Sequence, residues 1–489
     1  MRHALSAFLL AAASTVAYAQ GQTGGPILTL DEAVTLAVRN NPTHLRSITA
    51  EDRAGASVRS SYGAFLPNVN TNFTTSFRQG GAEVVSGQQF GSAADILSSS
   101  YGIGVSATYT VSTFLQPRVA RANMNAAGAE VTRSAATTRS DVVQQYLTVL
   151  QAQATAALRD TLLANAQAQV DLDRAREQVG ATTSLVVRQS EVALGNARVN
   201  LLRDRNAVET ELLRLFQLMG VQKIDGVRLT TTFTVTEPSL VLNELLIMAR
   251  QANPSLNALR AREDAANVAV SQARSTYLPS VSFNTGWSGS SLEQTNVEPA
   301  IEQRRQQTES ARSSCLTQDS LRIGAGLAPR GVCDQIQFTD ADAEQMRAAN
   351  NQYPFTFSKQ PFGYSVQFSL PIFNGFRREE NVQNAAASRL DARYAVRAQE
   401  LQLITDITSS YNNLMVQYQT VQVQEQTRAT AQQALELAQE RYRVGASTFL
   451  DVSQARTDYE TAGNDLIRAI YDFHRFYVQL ETAVGRPLR

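Results

Sequence analysis

Few side chains in this sequence of 489 residues could carry out chemistry. Its three histidines and two cysteines are scattered, and no cluster of histidine, cysteine and carboxylate has the spacing of a metal site. The sequence also lacks a glycine-rich phosphate loop and a nucleophile elbow. We therefore expect neither an enzyme nor a protein with a metal or another cofactor.

The charged residues give no reason to expect a nucleic-acid partner. The 44 basic and 44 acidic residues cancel, and the cations are almost all arginine, with lysine only at Lys223 and Lys359. A neutral chain has no net field with which to attract a polyanion.

The first 19 residues have the pattern of a secretory signal peptide. Arg2 and His3 precede an apolar run, and Ala17-Tyr18-Ala19 forms a small-residue cleavage site, followed by a linker over residues 20–28. No cysteine follows the cleavage site, so we expect no lipid anchor. No later apolar stretch reaches 18 residues, so a segment that crosses a membrane must do so as β-structure.

The two cysteines, Cys315 and Cys333, are 18 residues apart. A signal peptide would send them to an oxidising compartment, where such a pair forms a disulfide. Loop-closure reasoning gives that disulfide a stabilising contribution of about 3 kcal/mol.

A very long helical hairpin dominates the C-terminal part of the chain. Residues 378–443 keep a helical apolar spacing without proline, which predicts a helix about 100 Å long. Gly445 can end this helix, and Ser447 or Thr448 can cap a return helix that runs to Gly485. A globular core cannot bury such a helix from end to end.

The chain repeats itself, which indicates an internal duplication. Val179-Gly180-Ala181 matches Val444-Gly445-Ala446 at an offset of 265 residues, and Asn41-Pro42 matches Asn253-Pro254 at an offset of 212. We predict repeats over 29–220 and 242–489, a connector over 221–241, and an insertion of polar loop over 290–360. The predicted elements are helices at 29–40, 43–64, 117–180, 183–219 and 239–252, hairpin tips at 179–183 and 444–448, and a strand at Thr230–Val235.

Small residues at coiled-coil spacing predict a seam along the first long helix. This seam would allow close helix approach in a barrel wall or in an ordinary antiparallel coiled coil, and spacing alone does not separate the two. Its members are Leu147, Leu150, Ala154, Ala157, Thr161, Ala164 and Ala168.

Four segments, at about 67–78, 100–113, 280–289 and 362–372, alternate apolar with small polar residues. This pattern is typical of outer-membrane strands. The smallest membrane barrels have about eight strands, and an open sheet edge cannot lie in lipid. Several chains must therefore pool their strands, and three chains would provide twelve.

The duplicated plan, the Asn-Pro breaks, the Ser369–Gly375 segment and the turn from Tyr442 to Asp451 resemble the TolC family of outer-membrane efflux proteins, over about residues 28–485. The resemblance implies an α+β membrane protein that forms a homotrimer. Its twelve-strand outer-membrane β-barrel, four strands per chain, would continue as a long periplasmic α-helical barrel with a small mixed α/β equatorial belt.

The resemblance also implies a function. The chain would be the outer-membrane exit duct of a tripartite efflux or type I secretion system, gated at its periplasmic tip. Its partners would be further copies of itself, a periplasmic adaptor (membrane fusion) protein, an inner-membrane pump of RND or ABC type, and outer-membrane lipid. In this topology the insertion, with its cysteines, lies outside the cell.

The family pattern assigns Tyr442 and Asp451 to the periplasmic aperture, where three copies of the aspartate would favour cations. Asp451 could instead only complement the dipole of its helix. The first hairpin has Val186 at the equivalent position, and Gln454 stands where a second acid often follows. The adaptor-contact tips are Val179, Gly180, Ala181, Val444, Gly445 and Ala446.

Three arginines near the tips, Arg188, Arg441 and Arg443, could latch a closed state through ion pairs, or simply lie on solvated helix faces. The rival function for the whole chain is a secreted or periplasmic coiled-coil scaffold that conducts nothing. The strands discriminate the two, because membrane strands turn their apolar faces to lipid and scaffold hairpins bury them.

Overall fold

The computed structural model describes residues 26–488, except 82, 86, 87 and 91–93. The expected signal peptide, with Ala17-Tyr18-Ala19, and most of the expected 20–28 linker lie outside this part. None of the helices in the described part is long and apolar enough to cross a bilayer.

The described chain forms two compact units. One holds the described residues up to Ala56, Arg121–Asn267 and those from Ala386 onward, and the other holds Ser57–Ala120 and Val268–Ala385. The elements in chain order are β1 (Ile27–Leu28), α1 (Leu30–Asn40), α2 (Pro42–Gly63), β2 (Asn68–Arg78), β3 (Glu83–Val85), β4 (Gln88–Phe90), β5 (Ile96–Thr110), α3 (Val111–Gln178), α4 (Ser184–Met219), β6 (Arg228–Leu229), α5 (Leu242–Ala252), α6 (Pro254–Ser275), β7 (Ser280–Gln294), α7 (Glu298–Gly324), a 3-10 turn (Cys333–Gln335), α8 (Asp340–Asn350), β8 (Ser358–Lys359), β9 (Gly363–Ser369), α9 (Arg377–Arg443) and α10 (Phe449–Val484).

The helices show the duplication directly. α3 and α9 have 68 and 67 residues, and α4 and α10 have 36 each. The boundary before α3 differs from the prediction, because β5 ends at Thr110 and the helix begins before Pro117. The side chain of Thr110 accepts a hydrogen bond from the Thr113 N–H (3.0 Å), which starts the helix there.

Each Asn-Pro break lies against the end of a shorter helix. The Asn41 amide donates to the Leu218 carbonyl at the end of α4, and the Asn253 amide donates to the Ala483 carbonyl at the end of α10, both at 2.8 Å. Gly485 closes α10 with φ of 87°, and a Cβ there would lie 2.6 Å from a backbone oxygen. The two repeats thus use the same joint.

Two apolar cores lie beside these joints, one for each repeat. In the first, Tyr146 is fully buried and its hydroxyl donates to the Leu28 carbonyl at 2.9 Å. In the second, the equivalent Tyr411 donates to the Leu240 carbonyl at 3.4 Å. Phe473 is buried in this second core.

The predicted Thr230–Val235 strand is wrong. β6 contains only Arg228–Leu229, which pairs in parallel with β1, and no strand follows before α5 at Leu242. One residue of this segment, Thr231, uses its side chain in contacts outside any strand. The Thr231 hydroxyl accepts from the Leu30 N–H at 3.0 Å and lies 3.2 Å from the Tyr146 hydroxyl.

The main sheet is antiparallel, in the order β2-β5-β7-β9, with β8 also paired to β7. Cross-strand partners share a face, so the register sorts the side chains into two sets. One set is apolar and largely exposed, for example Phe73, Ile103, Trp287 and Phe368. The other set is mainly polar and carries a charge at Arg78, near the end of β2. It includes Asn72, whose amide oxygen would lie 2.6 Å from a Cβ at Gly102.

The predicted insertion is not a polar loop. It holds α7 with 27 residues and α8 with 11 residues. Residues 300–323 contain neither glycine nor proline and are rich in glutamine and arginine, which favour a helix. The structure joins Cys315 of α7 to Cys333 by a disulfide, with Cα atoms 5.6 Å apart.

The predicted small-residue seam of α3 coincides with the buried stripe only at its start, where Leu147 is fully buried. Ala157, Thr161, Ala164 and Ala168 are exposed in the single chain. The buried stripe is formed instead by Ala156, Leu162, Ala166, Val170 and Asp173.

Candidate functional site

The tip of the first hairpin is a tight turn between α3 and α4. Gly180 has φ of 73°, a left-handed conformation that favours glycine. The Ala181 N–H donates to the Arg176 carbonyl at 2.7 Å, which closes the end of α3. Val179 is 78% exposed beside this turn.

The second tip repeats this turn between α9 and α10. Gly445 has φ of 77°, and the Ala446 N–H donates to the Arg441 carbonyl at 2.7 Å. Thr448 then caps α10 together with Asp451. The Thr448 N–H and hydroxyl both donate to Asp451 Oδ2 at 2.8 Å, and the Asp451 N–H donates back to the hydroxyl at 3.3 Å.

This capping box explains the electrostatics of Asp451. The hydrogen bonds from the Thr448 backbone and side chain lower the pKa of the carboxyl group, so it is ionised at neutral pH. The first hairpin has Val186 at the equivalent place, and there Thr183 makes no side-chain capping bond. Asp451 therefore has a structural role at its own helix end, beside the aperture role predicted for it.

Tyr442 connects the two hairpins. It is 5% exposed, and its hydroxyl donates to Asp173 Oδ1 of α3 at 2.7 Å. The guanidinium of Arg176 lies over the Tyr442 ring, 4.5 Å from the centroid, and donates to the Tyr442 carbonyl at 2.7 Å. Tyr442 of α9 thus contacts both Asp173 and Arg176 of α3. We call these three residues the tip bridge.

The acid of the tip bridge is fully buried. Asp173 Oδ1 accepts from both Tyr442 and Gln169, whereas Oδ2 has no hydrogen-bond partner within the described part of the chain. Burial, together with the bond to Asp173, raises the pKa of Tyr442 to about 12. Tyr442 is therefore a neutral donor at every physiological pH.

The three arginines predicted as a latch are exposed residues. Arg188 pairs with Glu191, and Arg443 pairs with Glu440, each at 2.8 Å on its own helix. Arg441 is exposed, and its charge adds to the lowering of the Asp451 pKa. Near the tips, the tip bridge joins the two hairpins within this chain; a latch by these arginines stays a prediction.

The family pattern described as "Outer membrane efflux protein" matches residues 33–221 and 335–486, well over half of the chain. The chain belongs to the outer membrane efflux protein family. It is therefore an outer-membrane protein that extends into the periplasm, and its family forms channels rather than enzymes.

Individual relatives are distant. The chain is 21% identical to the outer membrane protein TolC of Escherichia coli K12 over 319 residues, which are 65% of this chain and 55% of the relative. It is 23% identical to TolC of Vibrio cholerae over 38% of this chain and 43% of the relative. The chain thus spans about half the length of these curated relatives.

Solved structures show the same fold over nearly the whole chain. The Campylobacter jejuni CmeC outer membrane channel has a TM-score of 0.69 at 15% identity and covers 93% of this chain and 85% of its own. The open state of the Neisseria gonorrhoeae MtrE channel has a TM-score of 0.65 at 15% identity, with 94% and 89% covered. Efflux-channel architecture, a helical domain with a β domain, is therefore the fold of this family member.

Sequence reasoning missed Asp173 and Arg176. A signal for Asp173 was present, because it continues the stripe of Leu162, Ala166 and Val170 at a helical spacing of three and four. A carboxylate at a buried stripe position requires a partner. The sequence offers no way to identify that partner, because Tyr442 lies 269 residues further along the chain.

Proposed function

We propose that this protein is the outer-membrane exit duct of a tripartite efflux or type I secretion system, gated where its hairpin tips meet. An inner-membrane pump of RND or ABC type would deliver the cargo through a periplasmic adaptor. The observation that carries the proposal is the tip bridge, because a contact between two hairpins at their free ends is a place where an entrance can be closed.

The free energy needed to break the tip bridge suits a gate that a partner protein can open. Separating the hairpins would leave the Asp173 carboxylate without its Tyr442 donor, which costs on the order of 1–3 kcal/mol for a buried group. That cost holds the tips together at rest. It is also small enough for the binding energy of a partner protein to exceed it.

The tips present a surface on which an adaptor can bind. Four large apolar side chains near the two turns, Val179, Leu185, Val444 and Leu450, are each at least 64% exposed. Exposed apolar groups that lie together indicate a protein contact. We assign Val179-Gly180-Ala181 and Val444-Gly445-Ala446 to this contact.

Trimer formation is supported by the main sheet. Within the described residues, β2 and β9 each pair with a neighbour on one side only. Unpaired edges cannot face lipid, so other copies must cover them, and three copies provide twelve strands. The exposed small residues of the α3 seam would then contact the helices of a neighbouring copy.

Charge selection in such a duct belongs to the tip. The polar face of the sheet, which would line the lumen, carries asparagine, serine, threonine, glutamine and glycine and no ionisable side chain over 68–76, 98–108, 280–290 and 363–369. Asp451, ionised and exposed, is the acid assigned to the predicted aperture, and Arg441 lies close enough to lower its pKa. We propose that three copies of it form a cation-favouring ring.

Single-channel recording in planar bilayers tests this function. Wild-type protein is expected to give small, cation-selective currents, and Asp451→Asn is expected to lose selectivity while its amide oxygen retains an acceptor for the cap. The matched control is Asp342→Asn, because Thr339 and Asp342 form the same capping box at the start of α8. Unchanged selectivity in Asp451→Asn would remove the acidic ring. A protein without currents and without oligomers would favour the scaffold instead.

A further inference from the structure

A row of hydroxyl groups crosses the apolar face of the sheet, between the row of Phe73 and the row of Phe77 and Leu97. Phe73, Tyr101 and Gly289 lie opposite one another in adjacent strands, and one row further from the start of β2 lie Thr75, Ser99 and Ser291. The apolar face therefore changes from aromatic to hydroxyl within a single step of the register.

A segment of the insertion covers this hydroxyl row (we call residues 353–359 the strap). The Tyr353 hydroxyl lies 2.8 Å from the Thr75 hydroxyl, and the Ser99 hydroxyl bonds to the Pro354 carbonyl. Ser99 also lies 2.7 Å from the Ser291 hydroxyl, and both serines are at most 2% exposed. The hydroxyl groups are thus satisfied by the strap and by each other.

The strap lies close against the aromatic row as well. The Phe357 ring meets the Tyr101 ring edge to face at 4.9 Å, and the Phe355 ring stacks on Phe73 at 6.2 Å. Glycine is needed at position 289 for this approach. A Cβ there would lie 2.6 Å from the Tyr101 ring and 3.2 Å from Phe357 Cβ.

The strap presents its own apolar groups outward. Phe355 is 74% exposed, and Phe73 beneath it is 54% exposed. Lys359 pairs with Gly289, which places it on the same apolar face, and it is exposed. Lys359 forms no ion pair with any residue that the structure describes.

The distance from the aromatic row beside the strap to the other end of the apolar face fits a membrane. β5 carries the apolar face from Tyr101 to Tyr109, nine residues that span about 27 Å. Membrane strands use about nine to eleven residues. Rings with polar tips collect at both boundaries of such a band, and lysine side chains near them extend to the headgroups.

We propose that the strap is a docking surface for membrane lipid of the outer leaflet whose headgroup carries phosphate. Phe355 would lie at the boundary between acyl chains and headgroups, and the Lys359 ammonium would pair with the phosphate. The proposal rests on the proposed function in one respect, that the apolar face of the sheet meets lipid. It makes the insertion a lipid contact on the outer side of the sheet, away from the polar face.

The chain provides a reporter for the first test, because Trp287 is its single tryptophan and belongs to the apolar face. Full-length protein is reconstituted in bilayers with lipids brominated either near the headgroup or near the chain end. Trp287 is expected to be quenched by lipid in the wild type. In Trp287→Phe/Phe355→Trp, the new tryptophan is expected to be quenched more by headgroup-proximal than by chain-end bromine.

Two outcomes of this test separate the two proposals. If Trp287 is quenched but the tryptophan at 355 responds only to aqueous acrylamide, the strap lies in solvent and the docking surface is overturned. If Trp287 itself is not quenched by lipid, the membrane contact of the sheet, and with it the proposed function, fails.

The second test concerns the phosphate. Detergent-solubilised protein is titrated with phosphatidylglycerol and with lipid A, and bound lipid is counted by native mass spectrometry. Lys359→Gln is expected to weaken retention about fivefold, because one lysine at an anionic lipid surface contributes on that scale. The matched control is Lys223→Gln, which removes the other lysine and is expected to change nothing. Equal retention in all three proteins would remove Lys359 from the contact.

Discussion

Tyr442 shows how a single residue can join two distant parts of a chain. Its ring and its carbonyl both contact the guanidinium of Arg176, and its hydroxyl donates to the carboxylate of Asp173. Since Asp173 is fully buried, its carboxyl group depends on the Tyr442 hydroxyl and the Gln169 amide for hydrogen bonds. Loss of that hydroxyl therefore has a larger effect than loss of an exposed ion pair.

Tyr442→Phe is expected to loosen the tips. The substitution keeps the ring under Arg176 but removes the donor to Asp173, at a cost of about 1–3 kcal/mol. Faster hydrogen exchange of the tip amides and larger single-channel currents would be the readouts. Tyr411→Phe, which removes a hydroxyl from the second core, is the control that should leave the tips unchanged. Identical exchange at the tips of both variants would show that the tip bridge does not hold them.

The tip bridge is also expected to respond to alkaline pH. Burial and the bond to Asp173 raise the pKa of Tyr442 from 10.0 to about 12. A raised pKa means that the folded form favours the protonated Tyr442 hydroxyl. The stability that this hydroxyl contributes is therefore complete below pH 10 and is lost as pH rises from 10 to 12. The hydrogen-exchange rates of the tip amides in the wild type should approach those in Tyr442→Phe across this interval. A constant difference between them would contradict the assignment.

At the scale of elements, the hairpin turns are the points where long helices reverse. Both turns use a glycine in the left-handed region followed by an N–H that closes the preceding helix. Only the second turn adds a capping box, through Thr448 and Asp451. The two repeats therefore share a backbone device but differ in charge at the tip.

Gly445→Ala is expected to destabilise the second turn locally by about 1–2 kcal/mol, since φ of 77° is unfavourable for a residue with a Cβ. Exchange of the Ala446 amide, which bonds to the Arg441 carbonyl, should speed up. Gly195→Ala is the matched control, because Gly195 lies inside α4 with open space around it, and alanine there favours the helix. An unchanged Ala446 amide in Gly445→Ala would contradict this account of the turn.

At the scale of the whole molecule, the main sheet is incomplete in one chain. β5 and β7 each pair on both sides, whereas β2 and β9 offer unpaired backbone groups on their outer sides within the described residues. An edge of this kind pairs with another chain unless it is shielded. The proposed closure therefore brings β2 of one copy beside β9 of the next.

Cross-linking between these edges tests the closure. In a Cys315→Ser/Cys333→Ser background, Thr74→Cys in β2 and Gln367→Cys in β9 should be linked between copies by a flexible bis-maleimide, giving a closed species of three chains. Thr74→Cys alone is the control, because without a thiol on β9 the edge of the next copy has nothing to link to. A ladder that stops at two chains, or equal linking in the control, would contradict a trimer closed through these edges.

Much of the architecture follows from local patterns in the sequence. The 3.6-residue period over 378–443, the glycines at 180 and 445 and the alternation in the strands are each properties of neighbouring residues, and the helices and strands formed close to the expected bounds. Where local pattern was misleading, a specific contact explains it. The Thr231 hydroxyl forms hydrogen bonds with the Leu30 N–H and the Tyr146 hydroxyl, and the residue is not part of a strand. The polar insertion forms helices.

The sequence by itself determined the duplicated helix–strand plan, the family and the position of both tips, because periodicity and turn chemistry act over a few residues. Only the tertiary structure decided which side chains meet. Asp173 and Tyr442 lie 269 residues apart, and the strap reaches Thr75 across 278. Such pairs depend on how helices and strands pack, since a buried carboxylate or hydroxyl takes whichever donor packing brings within about 3 Å.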